Sequence, residues 1–84
     1  MYIIVVFRSR TETLTFAQIL RSYKVRCSVI NTPRQASVSC GISVKIDLQS
    51  VDVAKSVLYR RKFNTFAGFF KVVDYKGGVI VSPL

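Results

Sequence analysis

Eighty-four residues, half of them hydrophobic, are enough for one domain with one core, spanning residues 1–84, and too few for two. Thirteen Lys and Arg against four Asp and Glu give a formal charge of +9, which favours anionic partners: nucleic acid, phosphates, an acidic protein or an anionic small molecule. Two cysteines and no histidine argue against a secreted disulfide scaffold and a Cys/His zinc site, and they exclude cysteine-protease chemistry, which needs a base beside its thiol.

Tyr2 to Phe7 is a continuous apolar run rich in β-branched residues, the pattern of a central strand buried on both faces. It is far shorter than the roughly 20 residues of a membrane span and has no basic leader, so the expectation is a cytoplasmic protein with no membrane partner. Ser9-Arg10-Thr11-Glu12 has the form of a capping box. Leu14, Phe16, Ala17, Ile19, Leu20 and Tyr23 follow at helical spacing, predicting a helix over 10–23.

From Val25 the period changes to two, with Val25, Cys27 and Val29 on one face and Arg26 and Ser28 on the other, so Cys27 points into the core. A polar loop containing Pro33 leads to a third strand, in which Ile42, Val44 and Ile46 alternate with Ser43, Lys45 and Asp47. Ser50 is the expected N-cap of a second helix carrying Val51, Ala54, Val57 and Leu58, with Asp52 at its start and Arg60-Arg61-Lys62 at its end, charges that complement the helix dipole. Phe69 to Tyr75 reads as a fourth strand, and Lys76-Gly77-Gly78 as a turn into Val79-Ile80-Val81, an optional short added strand.

The order βαββαβ predicts an α+β ferredoxin-like two-layer sandwich, a four-stranded antiparallel sheet with two helices on one face. In that topology three segments meet at one end of the sheet: Arg8-Ser9-Arg10, the loop from Thr32 to Cys40, and Arg60-Arg61-Lys62. A cysteine reacts as its thiolate, which a helix N-terminus and nearby cations favour, and Cys40 falls where both are expected, with Arg8, Arg10 and Arg34 close by. Gly41 permits an unusual backbone angle beside it, and Ser37 and Ser39 make the flanks polar. The bland reading of Cys40 as a small apolar strand residue is the weaker one in this setting, whereas for Cys27 core packing is the stronger. With the hairpin closing near Asn31 and Gly41, the two thiols fall about 15 Å apart, beyond disulfide reach.

The four carboxylates are scattered, Glu12 at a cap and Asp47, Asp52 and Asp74 at strand edges and a helix start, so no paired acid and base is expected. Neither GxGxxG nor a P-loop is present. Independent catalysis is therefore less expected than a carrier or binding role.

The stretch from Val29 to Ile42, with Thr32-Pro33-Arg34 leading through polar residues to Cys40-Gly41, resembles the signature of the selenium/sulfur carrier-like family, small bacterial domains mostly from anaerobes. The opening Ile4-Val5-Val6-Phe7-Arg8-Ser9 is similar to that family's first strand and helix start. The resemblance implies a persulfide or selenopersulfide held on Cys40, with Pro33 and Arg34 shaping or charging its loop. It also implies sulfur or selenium donor and acceptor proteins as partners, and neither cofactor nor metal. Asn31 stands where many members have a second proline, and the Gly77-Gly78 tail ending at Leu84 is additional.

Two other readings stand beside the carrier. An RNA-recognition-like module shares the βαββαβ order, and Arg26, Lys45 and Lys71 with Phe69 or Tyr75 would line its open sheet face, although the third strand lacks the aromatics such modules use. A structural or interaction domain could pair through an exposed edge at Val79-Ile80-Val81 or through a patch of Phe63, Phe66, Phe69 and Phe70.

Overall fold

A computed structural model describes residues 1–36 and 40–84. Strand β1 (Tyr2–Phe7) leads to helix α1 (Arg10–Ser22), β2 (Cys27–Asn31), a 3₁₀ turn (Arg34–Ala36), β3 (Ile42–Ile46), a second 3₁₀ turn (Leu48–Ser50), α2 (Val51–Arg60), β4 (Phe66–Tyr75) and β5 (Gly78–Pro83). Among the described residues the strands form one sheet in the order β2-β3-β1-β4-β5, every neighbouring pair antiparallel. The sheet thus has five strands where four were expected. The added one is longer than Val79–Val81 and lies outside β4.

β1 is central because Ile3 through Phe7 are all fully buried. Ile3, Val5 and Phe7 face α1 and α2 and pack with Phe16, Ala17, Leu20, Val44, Val51 and Val57, whereas Ile4 and Val6 face the other side with Val72 and Ala36. Each large apolar side chain removed from water in this way contributes about 1.5–3 kcal/mol.

The boundaries differ from the sequence expectation for local reasons. α1 stops at Ser22 because Lys24 takes a left-handed φ of 61° and turns the chain into β2. Ser50 makes no side-chain capping bond; the Leu48–Ser50 turn feeds α2 directly. β4 starts at Phe66, three residues before the expected Phe69. A register shift against Val6 and Phe7 lets both Phe66 and Phe69 pack on the helix-side core, with Phe63 beside them. These phenylalanines are core, and Phe70 belongs to the cluster on the opposite face.

The register also corrects the expected open face. Lys45 lies there, its Nζ 4.5 Å from the centre of the Tyr2 ring. Phe69 packs on the helix-side core, and Lys71, opposite Ile3, and Tyr75 share its side of β4.

Candidate functional site

β1 and β2 run in one direction and β3 in the other, so the end of β1, the connection between β2 and β3, and the exit from α2 come together at one edge of the sheet. Hydrogen bonds tie them. The connection is closed at its base by Thr32 N–H donating to Gly41 O at 2.9 Å and by the Thr32 and Ser43 hydroxyls 2.6 Å apart, which satisfies the buried Ser43. Pro33 opens the short turn, its carbonyl accepting from Ala36 N–H at 3.0 Å. Gly41 adopts a φ of +78°, the left-handed backbone that a side chain would strain.

Cys40 is half-buried in this connection. Its Sγ donates to Phe7 O at 3.0 Å, has Ile42 O at 3.3 Å, and lies 3.9 Å from Thr13 Oγ1. The Thr13 hydroxyl donates to Ser9 O at 2.9 Å, so it offers the sulfur a lone pair. Among the described residues, the hydrogen-bond partners of this sulfur are therefore oxygens, two of them backbone carbonyls.

Ser9 caps α1, its Oγ accepting from Glu12 N–H at 3.2 Å. Only half of the capping box forms. Glu12 reaches across to accept from Asn64 N–H at 2.9 Å, Thr65 N–H at 2.8 Å and the Thr65 hydroxyl, while Thr65 Oγ1 accepts from Ser9 N–H. Glu12 thus clamps the start of α1 to the entry of β4. The Thr65 hydroxyl holds the Glu12 carboxyl below its ordinary range, partial burial opposes it, and the two amides reinforce it. With a folded-state value below the unfolded one, the clamp's contribution is fully present above about pH 4.5 and is lost as pH falls through the lower folded-state value. Acid unfolding monitored by circular dichroism is expected to show wild type losing stability below pH 4.5, with a flatter dependence in Glu12→Gln; parallel curves would remove the clamp from this role.

Arg8, Arg10 and Arg34 are exposed around this edge, as are Arg60, Arg61 and Lys62 at the end of α2. Asp47, Asp52 and Asp74 lie at strand and helix ends on the opposite edge. Ser9, Pro33, Gly41 and Cys40 thus share an edge with Arg8, Arg10 and Arg34. Ser37 and Ser39 lie outside the described residues. Thr13 escaped the sequence reading, though a signal existed: it is the polar member of the buried helical stripe Thr13, Phe16, Ala17, Leu20. Thr65 had no comparable signal, since its role depends on residues 53 and 56 positions away.

Cys27 is at the far edge. Its Sγ donates to Ala17 O at 3.5 Å, and it packs against the helix-side core while lining a cleft of about 210 Å³ with Arg26, Ser28, Lys45, Ile46 and Asp47. Burial pushes its thiol up, against the pull of Arg21. Both cysteines are free thiols. Among the described residues no three His, Cys, Asp or Glu side chains gather to hold a metal ion, and no helix is long and apolar enough to cross a membrane.

The profile of the Putative Se/S carrier protein-like family matches residues 2–67. The chain belongs to that family. The match spans β1 through the first residues of β4 and includes Cys40, Cys27 and the Glu12 clamp; the rest of β4 and all of β5 lie beyond it. No curated protein and no solved structure matches the chain.

Proposed function

We propose that this chain is a cytoplasmic, single-domain carrier of sulfur or selenium, a ferredoxin-like sandwich with one strand added, in which Cys40 holds the transferred atom as a persulfide or selenopersulfide. The observation that carries the reading is the placement of the Cys40 sulfur, half-exposed on the Phe7 carbonyl at the edge where α1 begins, in a chain of the carrier-like family.

In loading, the Cys40 thiolate attacks the outer sulfur of a donor persulfide. The new Sγ–S bond forms as the donor's S–S bond breaks, and the donor leaves as its thiolate. In release, an acceptor thiolate attacks the outer sulfur and Cys40 departs with the electron pair of the broken bond. The sulfane sulfur is passed on without an external oxidant or reductant. Once loaded, Sγ is a neutral bridging sulfur and negative charge resides on the outer atom, away from the three oxygens that face Sγ.

The test is incubation of the native chain with a persulfide donor, followed by mass spectrometry of the Cys40 and Cys27 peptides. A gain of one sulfur at Cys40, discharged by an acceptor thiol, is expected; no gain at Cys40 would sink the reading. The exposed cations around Cys40 suit an acidic donor or acceptor surface, so association with such a partner is expected to slow as ionic strength rises past about 0.1 M, where screening reaches about 10 Å. Stopped-flow rates that ignore salt would remove that partner class.

A further inference from the structure

The outer edge of an open sheet presents backbone amides and carbonyls with which a further strand can pair. The two outer strands here are β2 and β5, and their edges differ. Val79-Ile80-Val81, the edge that the sequence offers for pairing, is blunted at both ends. Leu84 N–H donates to Phe69 O at 3.0 Å, so Leu84 faces β4 and its neighbour Pro83 turns outward a nitrogen that carries no hydrogen. By the same alternation Val81 and Val79 turn outward, and the Val79 carbonyl already accepts from Gln35 Nε2–H at 3.2 Å.

β2 has no such protection. Thr32 N–H donates to Gly41 O, so along the unbroken register Ile30 with Ser43 and Ser28 with Lys45 are the pairs that bond to β3. The amides and carbonyls of Cys27, Val29 and Asn31 therefore point away from the sheet, and no hydrogen bond among the described residues reaches them. The strand holds no proline, no charge and no bulge. Charge stands beside it instead. Arg26 and Lys45 line the cleft of about 210 Å³ at the start of the strand, with Asp47 the acidic member of the lining, and on the helix side the Arg21 guanidinium lies against the Cys27 thiol.

We propose that the free edge of β2 is a docking site for an extended acidic segment of a partner protein, which adds to the sheet as a further strand beside Cys27–Asn31. The segment's backbone pairs with Cys27, Val29 and Asn31, and its side chains alternate between the faces of the sheet. At the Cys27 end they meet Arg26 and Lys45 on the helix-free face and Arg21 on the other, so acidic residues are suited to both. Toward Asn31 the edge is flanked by the half-buried Val29 and Ile30, which suit an apolar residue. A second copy of this chain fits the edge less well, since both copies carry a formal charge of +9.

The inference concerns where a partner is held and stands apart from what Cys40 carries. Its experiment titrates the isotope-labelled full chain with a synthetic peptide of alternating glutamate and valine, matched in length to β2, and follows the backbone amides by NMR. A peptide of alternating lysine and valine is the comparison. Saturable shifts centred on Cys27, Val29 and Asn31 are expected with the acidic peptide, and none with the basic one or along β5. Asn31→Pro removes one outward amide and leaves the ladder with β3 intact, and Arg26→Glu reverses an exposed charge. Each is expected to weaken the peptide about threefold or more, the scale of one hydrogen bond or one cross-strand charge pair. Absence of saturable shifts on β2, equal binding of the basic peptide, or unchanged affinity in either variant overturns the proposal. So do β2 shifts that follow the concentration of the chain alone, which would assign the edge to a second copy. Because no persulfide is present, failure here is distinguishable from failure of the carrier reading, which is scored by sulfur gain at Cys40.

Discussion

Cys40→Ser is expected to reduce retention of sulfane sulfur to background after incubation with a persulfide donor, while Cys27→Ser retains the wild-type level. A serine hydroxyl can keep the bond to the Phe7 carbonyl, so the variant should fold, but its oxygen cannot form the disulfide-type bond on which the transfer depends. Cys27 is the proper comparison because it is also a free thiol, yet it packs against the core at the opposite edge, its sulfur on Ala17 O, and burial disfavours its thiolate. Intact-mass measurement of both variants decides the matter. Loading that survives in Cys40→Ser, or that disappears in Cys27→Ser with the fold intact, would move the chemistry away from the loop.

The second large effect concerns the scaffold. Phe16 is fully buried, its ring 5.1 Å from that of Phe7 and 5.4 Å from that of Phe63, so it joins α1 to β1 and to the segment entering β4. Phe16→Ala removes the ring from the middle of this cluster and is expected to cost about 3–5 kcal/mol. A chain of this length has a total stability of about 4–13 kcal/mol, so the loss takes from roughly a quarter to all of it, with a large fall in the urea midpoint. Since Phe7 supplies the carbonyl under Cys40, any native Phe16→Ala should also show a faster-reacting Cys40. A loss of unfolding free energy under about 1 kcal/mol would mean that the aromatic cluster repacks around the gap.

Much of the scaffold was legible because its signals are local. The unbroken apolar run of β1, the 3.6-residue stripe of α1 and the alternation of β3 each state their own burial, and together they place three segments at one edge. What was not legible depended on contacts across long separations. Glu12 fits a capping box by spacing, but Asn64 and Thr65 compete for its carboxylate and win, with the Thr65 hydroxyl taking over the Ser9 amide. Phe69 reads as one residue of an alternating strand, yet the register shift beside Val6 and Phe7 turns both it and Phe66 toward the helices. At Cys40 the sequence identifies charge and a helix start nearby, while the atoms that touch the sulfur are oxygens of Phe7, Ile42 and Thr13, two of them backbone carbonyls that no residue type announces.

The central position of β1 has a consequence for synthesis. Its two neighbours are β3 and β4, so β1 cannot be paired along its whole length on both sides until synthesis has reached Val72. At about 5–20 residues per second, that leaves Ile3-Ile4-Val5-Val6-Phe7 without one or both partners for about 3 to 13 seconds. A β-branched, uncharged segment of that kind is prone to pair with another copy of itself. Arg8 and Arg10 follow at once, placed as gatekeepers that raise the charge next to the strand while it waits. The arginines at the rim of the Cys40 edge would thus serve the nascent chain before they serve the folded one.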